Sequence, residues 1–141
     1  IDSIPRSSIW LDDTPFNILH ASFLHELFPQ MKLIHIYRDV RDVISSYKNQ
    51  HWGGNTVEEI SLWIKNILDV WNEEKEKIPK DVFYEVMFED LMKNPRKKTE
   101  DLCDFLEIEF SNEMLNVDLT KSHIGRWKSD LTKNEIEKIR I

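Results

Sequence analysis

Hydrophobic residues recur along the chain at two different periods, which predict where helices and strands lie. The first segment begins with Thr14, which suits a helix N-cap, and Pro15, which suits the first helical position because its missing N–H would be unpaired there. The hydrophobic side chains then follow at helical spacing and predict one apolar face, formed by Phe16, Leu19, His20, Phe23, Leu24 and Leu27. Pro29 is predicted to end this helix.

A strand followed directly by a short helix is predicted next. Residues 33–37, Leu-Ile-His-Ile-Tyr, form a nearly all-apolar run that is typical of a strand buried on both faces, as in a parallel sheet. From Asp39 to about Asn49 the spacing becomes helical, with an apolar stripe of Val40, Val43, Ile44 and Tyr47. This order places Arg38 where the strand ends.

The middle of the chain carries the clearest helix signal. Thr56 and Glu59 have the spacing of a capping box, and the apolar stripe that follows contains Ile60, Trp63, Ile64, Ile67, Leu68 and Trp71. Residues 81–88 are rich in aromatic and β-branched side chains and predict a second strand. Strands that alternate with helices predict an α/β domain with a parallel sheet.

Two further helices are predicted toward the C-terminus. Asn94 as N-cap and Pro95 as first helical residue start one of them, with a buried face of Leu102, Phe105 and Leu106. The last segment is predicted to be a loop around Gly125 and then helical, since Thr132 and Glu135 have the spacing of another capping box.

Composition limits the number of domains and the classes of partner. A chain of 141 residues with 40% hydrophobic content can bury one core, so residues 1–141 are expected to form a single domain. The formal net charge of −7 argues against non-specific binding to nucleic acid, which depends on many Lys and Arg contacts to phosphates. A small anion held by a few local cations remains compatible with this charge.

The single cysteine and the hydropathy pattern bear on location. Cys103 has no partner for an intramolecular disulfide, which favours a reducing compartment, and the cytoplasm is the expected location. No apolar run in the sequence is long enough to span a bilayer, and the first residues lack the order of a signal peptide. A location in the Golgi lumen would require an N-terminal anchor in the full-length protein.

Arg38 and one of the two adjacent serines can address the same small volume. On a helical wheel Ser46 falls on the flank that carries Asp42, and Ser45 falls on the opposite flank with Arg41. Ligands of open α/β sheets bind at the carboxyl ends of the strands, where Arg38 is predicted. A guanidinium fork and a hydroxyl together suit a phosphate monoester. The alternative is that Arg38 pairs with Asp42 on the helix surface and Ser46 is an ordinary boundary residue.

Three segments, in order, resemble the C-terminal part of the PAPS-dependent sulfotransferases, PAPS being 3′-phosphoadenosine 5′-phosphosulfate. They are residues 14–47, residues 83–110 and the C-terminal stretch KSHIGRWKSDL, residues 121–131. In that family an arginine at a strand end and a serine eight residues later bind the donor's 3′-phosphate, and the resemblance carries these roles to Arg38 and Ser46. It implies a P-loop NTPase-like three-layer sandwich around the parallel sheet.

The third segment resembles the loop that closes over the 3′-phosphate. Gly125, Trp127 and Lys128 correspond to its Gly-x-Trp-Lys/Arg signature. The resemblance therefore makes the neighbouring polar side chains candidates for phosphate contacts, namely Lys121, Ser122 and Arg126. His123 lies in the same loop and is either a further donor to the anion or a solvated loop residue.

The sequence also departs from the family pattern. It contains no glycine loop of the PKSGTT type, which in the family holds the 5′-phosphosulfate. We therefore expect residues 1–141 to be the C-terminal portion of a longer catalytic domain and to be inactive alone. Asp13 stands where related sequences commonly have a lysine and is a candidate base, with a surface or helix-dipole role as the alternative. Phe88 stands where a tyrosine is common.

The activity implied by the resemblance is transfer of a sulfonyl group from PAPS to a hydroxyl or amine of a small molecule, glycan or peptide, with no metal ion. The five histidines lack the i, i+4 pairing suited to a metal site. Residues 51–55, His-Trp-Gly-Gly-Asn, are either a loop at the acceptor pocket or a plain turn between helices. An uncovered sheet edge would allow homo-oligomers.

Two other functions compete with this one. The chain could be a non-catalytic α/β module that keeps the 3′-phosphate site and binds a nucleotide or a protein. A nucleotide kinase with a related core fits less well, because the Arg38 and Ser46 pair belongs to the sulfotransferase pattern.

Overall fold

The computed structural model describes residues 9–50, 53–119 and 122–139, which form a helix-rich α/β arrangement. The helices and strands in these ranges are, in chain order, 3₁₀ Pro15–His20, α1 Ala21–Leu27, β1 Leu33–Tyr37, α2 Val40–Gln50, α3 Val57–Lys75, β2 Phe83–Met87, α4 Phe88–Lys93, α5 Pro95–Leu106, 3₁₀ Asn112–Leu115, α6 Trp127–Asp130 and α7 Lys133–Lys138. The predicted alternation of strands and helices is confirmed.

Within the described part of the chain, β1 and β2 form a two-stranded parallel sheet in which Leu33 pairs with Phe83 and Tyr37 with Met87. This pairing confirms the prediction of a parallel sheet. The crossover that parallel strands need runs through α2 and α3. Both strands therefore end at the same edge, and α2 begins there at Val40.

Helix α3 organises the core because its apolar stripe packs in two directions. One cluster of buried side chains joins it to α2 and to the C-terminal segment and contains Ile44, Val57, Ile60, Ile64 and Leu131. The other joins it to α1 and the sheet and contains Ala21, Trp71, Ile78 and Val82. The indole N–H of Trp71 donates to Glu85 on β2 over 2.9 Å, which fixes the helix against the sheet.

Both predicted capping boxes are confirmed. The Thr56 hydroxyl accepts from the Glu59 N–H, and the Glu59 carboxylate accepts from the Thr56 N–H, at the start of α3. Thr132 and Glu135 form the same reciprocal pair at the start of α7. These patterns could be predicted because all their partners lie within three residues of one another.

The first predicted helix is only partly correct. It divides into a 3₁₀ turn and the seven-residue α1, and Asp12 rather than Thr14 supplies the side chain at its start, accepting the Thr14 N–H over 2.9 Å. Phe16, Phe23 and Leu27 of the predicted buried face are at least half exposed. A 3₁₀ helix has fewer residues per turn than an α-helix, so side chains at α-helical spacing do not share one face across the junction.

The prediction that β1 is buried on both faces is wrong for its C-terminal end. Ile36 is 56% exposed and Tyr37 is 42% exposed. Among the described residues β2 is the only strand beside β1, so these side chains are not enclosed. Apolar composition predicted the strand correctly but could not show how much of the chain would cover it.

Glu74 ties α3 to α1 and provides a test of the fold. Its buried carboxylate accepts from the Ser22 N–H over 2.9 Å, from the Ser22 hydroxyl over 2.6 Å and from Lys77 over 2.6 Å. The Lys77 and Ser22 donors lower the pKa of Glu74 from 4.5 to about 2. The carboxylate therefore contributes stability that is complete above pH 4.5 and is lost as the pH falls toward 2.

We expect Glu74→Gln to lower the free energy of unfolding at pH 7 by about 1.5–3 kcal/mol, the range for hydrogen bonds to a charged group. The difference from the wild type should narrow at pH 3, because the wild-type carboxylate has by then lost part of its contribution. Urea unfolding at the two pH values measures both effects. The exposed neighbour Glu73→Gln is the control, and an equal deficit for Glu74→Gln at both pH values would contradict the assignment.

Candidate anion-binding site at the end of β1

A cleft of about 2180 Å³ lies beside β1 and is bounded by α2, α3 and the N-terminal segment. Its wall is mostly apolar, but Arg38 and Ser46 both line it where β1 gives way to α2. Concave, largely apolar sites with a few polar groups are typical of small-molecule binding.

Arg38 is held from several sides while one of its donors stays free. Its Nη2 donates to the carbonyl of His123 over 3.3 Å and lies 3.3 Å from Asp42 Oδ2, and its Cζ lies 5.4 Å from the centre of the Phe88 ring. The Nε atom of Arg38 is buried and has no hydrogen-bond partner. A buried donor without a partner costs about 1–3 kcal/mol, so an anionic acceptor at this position would stabilise the site.

The Arg38–Asp42 pair forms, but it does not lie on a helix surface as the alternative interpretation supposed. Asp42 is 1% exposed. Its two oxygens also accept the backbone N–H groups of Gly125, over 2.7 Å, and Trp127, over 3.1 Å. The ion pair is therefore part of the contact between α2 and the C-terminal loop.

The two serines of α2 have different surroundings, as the helical wheel predicted. Asp42, however, which the wheel placed on the flank of Ser46, contacts the C-terminal segment as Ser45 does. Ser46 is half-buried and lines the cleft with Arg38. Ser45 is fully buried, and its hydroxyl donates to Asp130 Oδ2 over 2.7 Å. The Ser45, Arg126 and Ser129 donors lower the pKa of Asp130 to about 2. Ser45 therefore holds the C-terminal segment, whereas Ser46 stays available to a ligand.

The C-terminal loop contacts Arg38. Of its three residues predicted to contact the phosphate, the structure describes Ser122 and Arg126. Ser122 is half-buried and precedes His123, whose carbonyl accepts from Arg38. Arg126 donates from Nε to Asp130 over 2.9 Å, so in this structure its guanidinium is engaged within the C-terminal segment. Lys121 lies outside the described residues. Phosphate contacts by these three side chains stay predictions.

The backbone of this loop adopts left-handed conformations at two residues. Gly125 has φ of 76° and His123 has φ of 53°. A Cβ atom at Gly125 would meet nothing within 4 Å, so the glycine is required by its backbone angle and not by lack of space. These angles bring the amides of Gly125 and Trp127 to the same carboxylate.

Sequence reasoning missed several residues that hold this corner in place. Glu89 Oε1 accepts the backbone N–H of Asp39 over 2.9 Å and so joins the start of α4 to the start of α2. Arg41 bonds to Asp39, which lowers the pKa of that carboxyl, and its Cζ lies 3.8 Å from the centre of the Trp127 ring. The acidic residue two positions after the end of β2 was a usable signal for the contact of Glu89, but no local pattern indicates the contacts of Arg41.

The other candidates lie at the margin of the cleft. Asp13 is exposed and lines its entrance with Thr14. Gly53 also lines the cleft, with φ of 74°, and a Cβ there would approach the Trp63 ring to 2.7 Å. The loop therefore packs closely on α3, while His51 and Trp52, on which the acceptor-pocket prediction also rests, lie outside the described residues.

Residues 9–50, 53–119 and 122–139 contain no cluster of three or more His, Cys, Asp or Glu side chains suited to a metal ion. No helix in these ranges has the length and apolar character needed to cross a bilayer.

Comparison with known proteins gives a family match over most of the chain. A model described as "Sulfotransferase family" matches residues 2–112, a range that contains Arg38 and Ser46 but ends before the C-terminal loop. Proteins named "Putative protein-tyrosine sulfotransferase" from Caenorhabditis briggsae and Caenorhabditis elegans are each 29% identical to this chain, over 111 and 110 residues. These stretches cover 72% of the chain but 38% and 40% of the relatives, so the chain spans about two fifths of their length.

Proposed function

The chain belongs to the sulfotransferase family, and from that premise we propose that it supplies the 3′-phosphate half of the donor site of an enzyme that transfers a sulfonyl group from PAPS. The observation that carries the proposal is the buried, unpaired Nε of Arg38, at a strand end that shares a cleft with Ser46. A dianionic phosphate offers acceptors for the guanidinium and the hydroxyl together.

The fold supports this proposal without extending to the whole domain. Two neighbouring parallel strands with α2 starting at their shared carboxyl edge are what a P-loop-like three-layer sandwich requires at its phosphate site. We propose this architecture for the complete catalytic domain. In it, the 5′-phosphosulfate of the donor is bound by residues other than those that bind the 3′-phosphate.

The chemistry divides between the donor and the protein. When bound, PAPS supplies the sulfonyl group, and the S–O bond to its phosphate breaks as the acceptor oxygen or nitrogen attacks sulfur. The chain's part is to orient the nucleotide through Arg38 and Ser46, with the C-terminal loop docked beside Arg38. Asp13 is the candidate in this chain for the base that removes the acceptor proton, because it is exposed at the entrance of the cleft.

The acceptor class proposed first is a tyrosine side chain of a protein, since both relatives carry that substrate in their names. The cleft has an aromatic wall in which Trp63 lies 5.4 Å from Tyr47 and 6.1 Å from Phe16, measured between ring centres. Aromatic side chains at such distances can stack on a phenol ring. Small molecules and glycans are the alternative acceptors, and the label-transfer assay described below distinguishes them from tyrosine.

A second candidate function is a non-catalytic module that binds nucleotide through the 3′-phosphate half. The absence of a glycine loop favours it, because the glycines of the sequence are Gly53, Gly54 and Gly125, none of them in a PKSGTT-type segment. Both functions predict binding of nucleotide, and they differ in whether any sulfonyl transfer follows.

Calorimetry with 3′,5′-adenosine bisphosphate (PAP) and with 5′-AMP, which lacks the 3′-phosphate, tests the shared part. We expect PAP to bind at least roughly tenfold more tightly, because charge-assisted contacts contribute about 1.5–3 kcal/mol each. Equal affinities would overturn the 3′-phosphate assignment. Transfer of label from PAPS to tyrosine peptides, sugars and small phenols, measured with the full-length protein, then separates the functions. Residues 1–141 alone are expected to show no transfer.

The two adjacent serines provide a matched pair of variants. Ser46→Ala should weaken PAP binding by roughly tenfold or more, as expected for one lost hydroxyl donor to a charged acceptor, and leave 5′-AMP binding unchanged. Ser45→Ala should instead lower stability by about 1 kcal/mol through its lost bond to Asp130, with the preference for PAP retained. Titration calorimetry and urea unfolding measure both. The reverse pattern would show that the cleft-facing serine was wrongly chosen.

A further inference from the structure

Asp42 has an unusual combination of burial and partners that the proposed function does not use. Its side chain is 1% exposed, yet it lies next to Arg38, the charged residue proposed to bind the ligand, rather than within the apolar core. Oδ2 accepts the Gly125 N–H and is paired with Arg38, and Oδ1 accepts the Trp127 N–H. A buried carboxylate is tolerated when its oxygens are satisfied in this way.

The three partners of Asp42 belong to two separate parts of the site. Arg38 directly follows β1, whereas Gly125 and Trp127, in the C-terminal loop and at the start of α6, lie 83 and 85 residues after Asp42. The same guanidinium nitrogen that faces Asp42 also donates to the carbonyl of His123. One carboxylate thus fixes the arginine and the loop in a common frame.

The contact also leaves a buried donor of Arg38 without a partner. Asp42 and the His123 carbonyl engage Nη2, and the buried Nε has no partner. A guanidinium is planar and its donors have fixed directions, so holding Nη2 sets the direction in which Nε points. Without Asp42 the long side chain could turn toward solvent and present a different edge.

We propose that Asp42 is a positioning residue that orients Arg38 for the 3′-phosphate and docks the C-terminal loop against it. The inference rests on the proposed function, in which the group bound by Arg38 is the 3′-phosphate. Asp42 itself carries negative charge and makes no contact with the ligand. Its effect on the ligand passes through Arg38, while its bonds to the amides of Gly125 and Trp127 hold the loop beside that arginine.

The test compares Asp42→Asn with the control Ser45→Ala, which removes another contact between α2 and the C-terminal segment without touching Arg38. We expect Asp42→Asn to lose most of the wild-type preference for PAP over 5′-AMP, a change of roughly tenfold, and Ser45→Ala to retain it. Retention of the full preference in Asp42→Asn would overturn the proposal. Absence of any preference in the wild type would instead overturn the proposed function.

A double-mutant cycle separates positioning from a merely structural effect. If Asp42 acts through Arg38, the variant carrying both Arg38→Ala and Asp42→Asn should bind PAP as Arg38→Ala does, within about twofold. Losses that multiply would show that Asp42 acts independently of the arginine and would contradict the proposal.

Hydrogen exchange of backbone amides measures the coupling between Arg38 and the C-terminal loop in the absence of ligand. It does not require the Asp42→Asn variant, so it also applies if that variant does not fold. We expect Arg38→Ala to accelerate hydrogen exchange at the Gly125 and Trp127 amides, observed by NMR, because the carboxylate that holds them loses its charged partner. The Glu59 amide, whose partner is Thr56, is the internal control. Unchanged exchange at Gly125 and Trp127 would show that Asp42 docks the loop without involving Arg38.

Discussion

Replacing Arg38 with alanine is expected to weaken PAP binding by about one to two orders of magnitude, since a charge-assisted contact to phosphate contributes about 1.5–3 kcal/mol. The loss should be confined to the 3′-phosphate, so that 5′-AMP binds both proteins alike. At Arg38 a buried, unpaired donor coincides with the shared carboxyl edge of both strands. Titration calorimetry at fixed ionic strength measures the effect.

Two controls distinguish this role from a change in overall charge or stability. Arg96→Ala removes an equally charged side chain that pairs with Glu100 on the exposed face of α5, and its PAP affinity should equal that of the wild type. Arg38→Lys keeps the charge but replaces the planar fork with a single ammonium, so we expect an intermediate affinity. Arg38→Ala binding PAP as tightly as the wild type would remove the arginine from the site.

Local patterns predicted the elements that hold this site, and tertiary contacts decided the rest. The strand before Arg38, helix α2 and both capping boxes depend on neighbours within one or two turns, so the sequence contained the information needed. The separation of Ser45 from Ser46 is likewise a property of helical geometry alone. These predictions needed no knowledge of what packs against α2.

The role of Asp42 could not be predicted in the same way. Its position four residues after Arg38 indicated an ordinary surface ion pair, and only the return of the chain at Gly125 and Trp127 buries it. The same reasoning explains the failure at the N-terminal helix. Phe16 and Phe23 have the spacing of a buried face, but burial requires a partner surface that periodicity does not specify.

Helix α2 carries core residues, contacts to the C-terminal segment and a cleft-lining serine on different faces. Ile44 lies in the core, Asp42 and Ser45 hold the C-terminal segment, and Ser46 faces the cleft. A change on one face therefore reaches the others through movement of the helix, even where no contact to the ligand is lost. Comparisons of affinity among variants of α2 should accordingly be made beside measurements of unfolding.

Truncation of Trp71 is expected to cause the largest loss of stability in this chain. The side chain is 1% exposed, its ring lies 5.5 Å from that of Phe83 and 5.0 Å from that of His35, and its N–H donates to Glu85. Trp71→Ala should lower the free energy of unfolding by about 3–5 kcal/mol, the usual cost of removing a buried aromatic ring. Since total stabilities are about 5–15 kcal/mol, much of the stability would be lost.

Trp71→Phe and Trp10→Ala show which part of that loss comes from the core. The phenylalanine variant keeps an aromatic ring but removes the N–H, and Glu85 retains His35 as a partner at 3.0 Å, so we expect a loss of about 1–2 kcal/mol. Trp10 is 70% exposed, and its truncation should change stability by no more than about 0.5 kcal/mol. Urea unfolding of the three variants measures this series. Equal losses for Trp71→Ala and Trp10→Ala would contradict the packing of α3 on the sheet, and with it the frame that holds the end of β1.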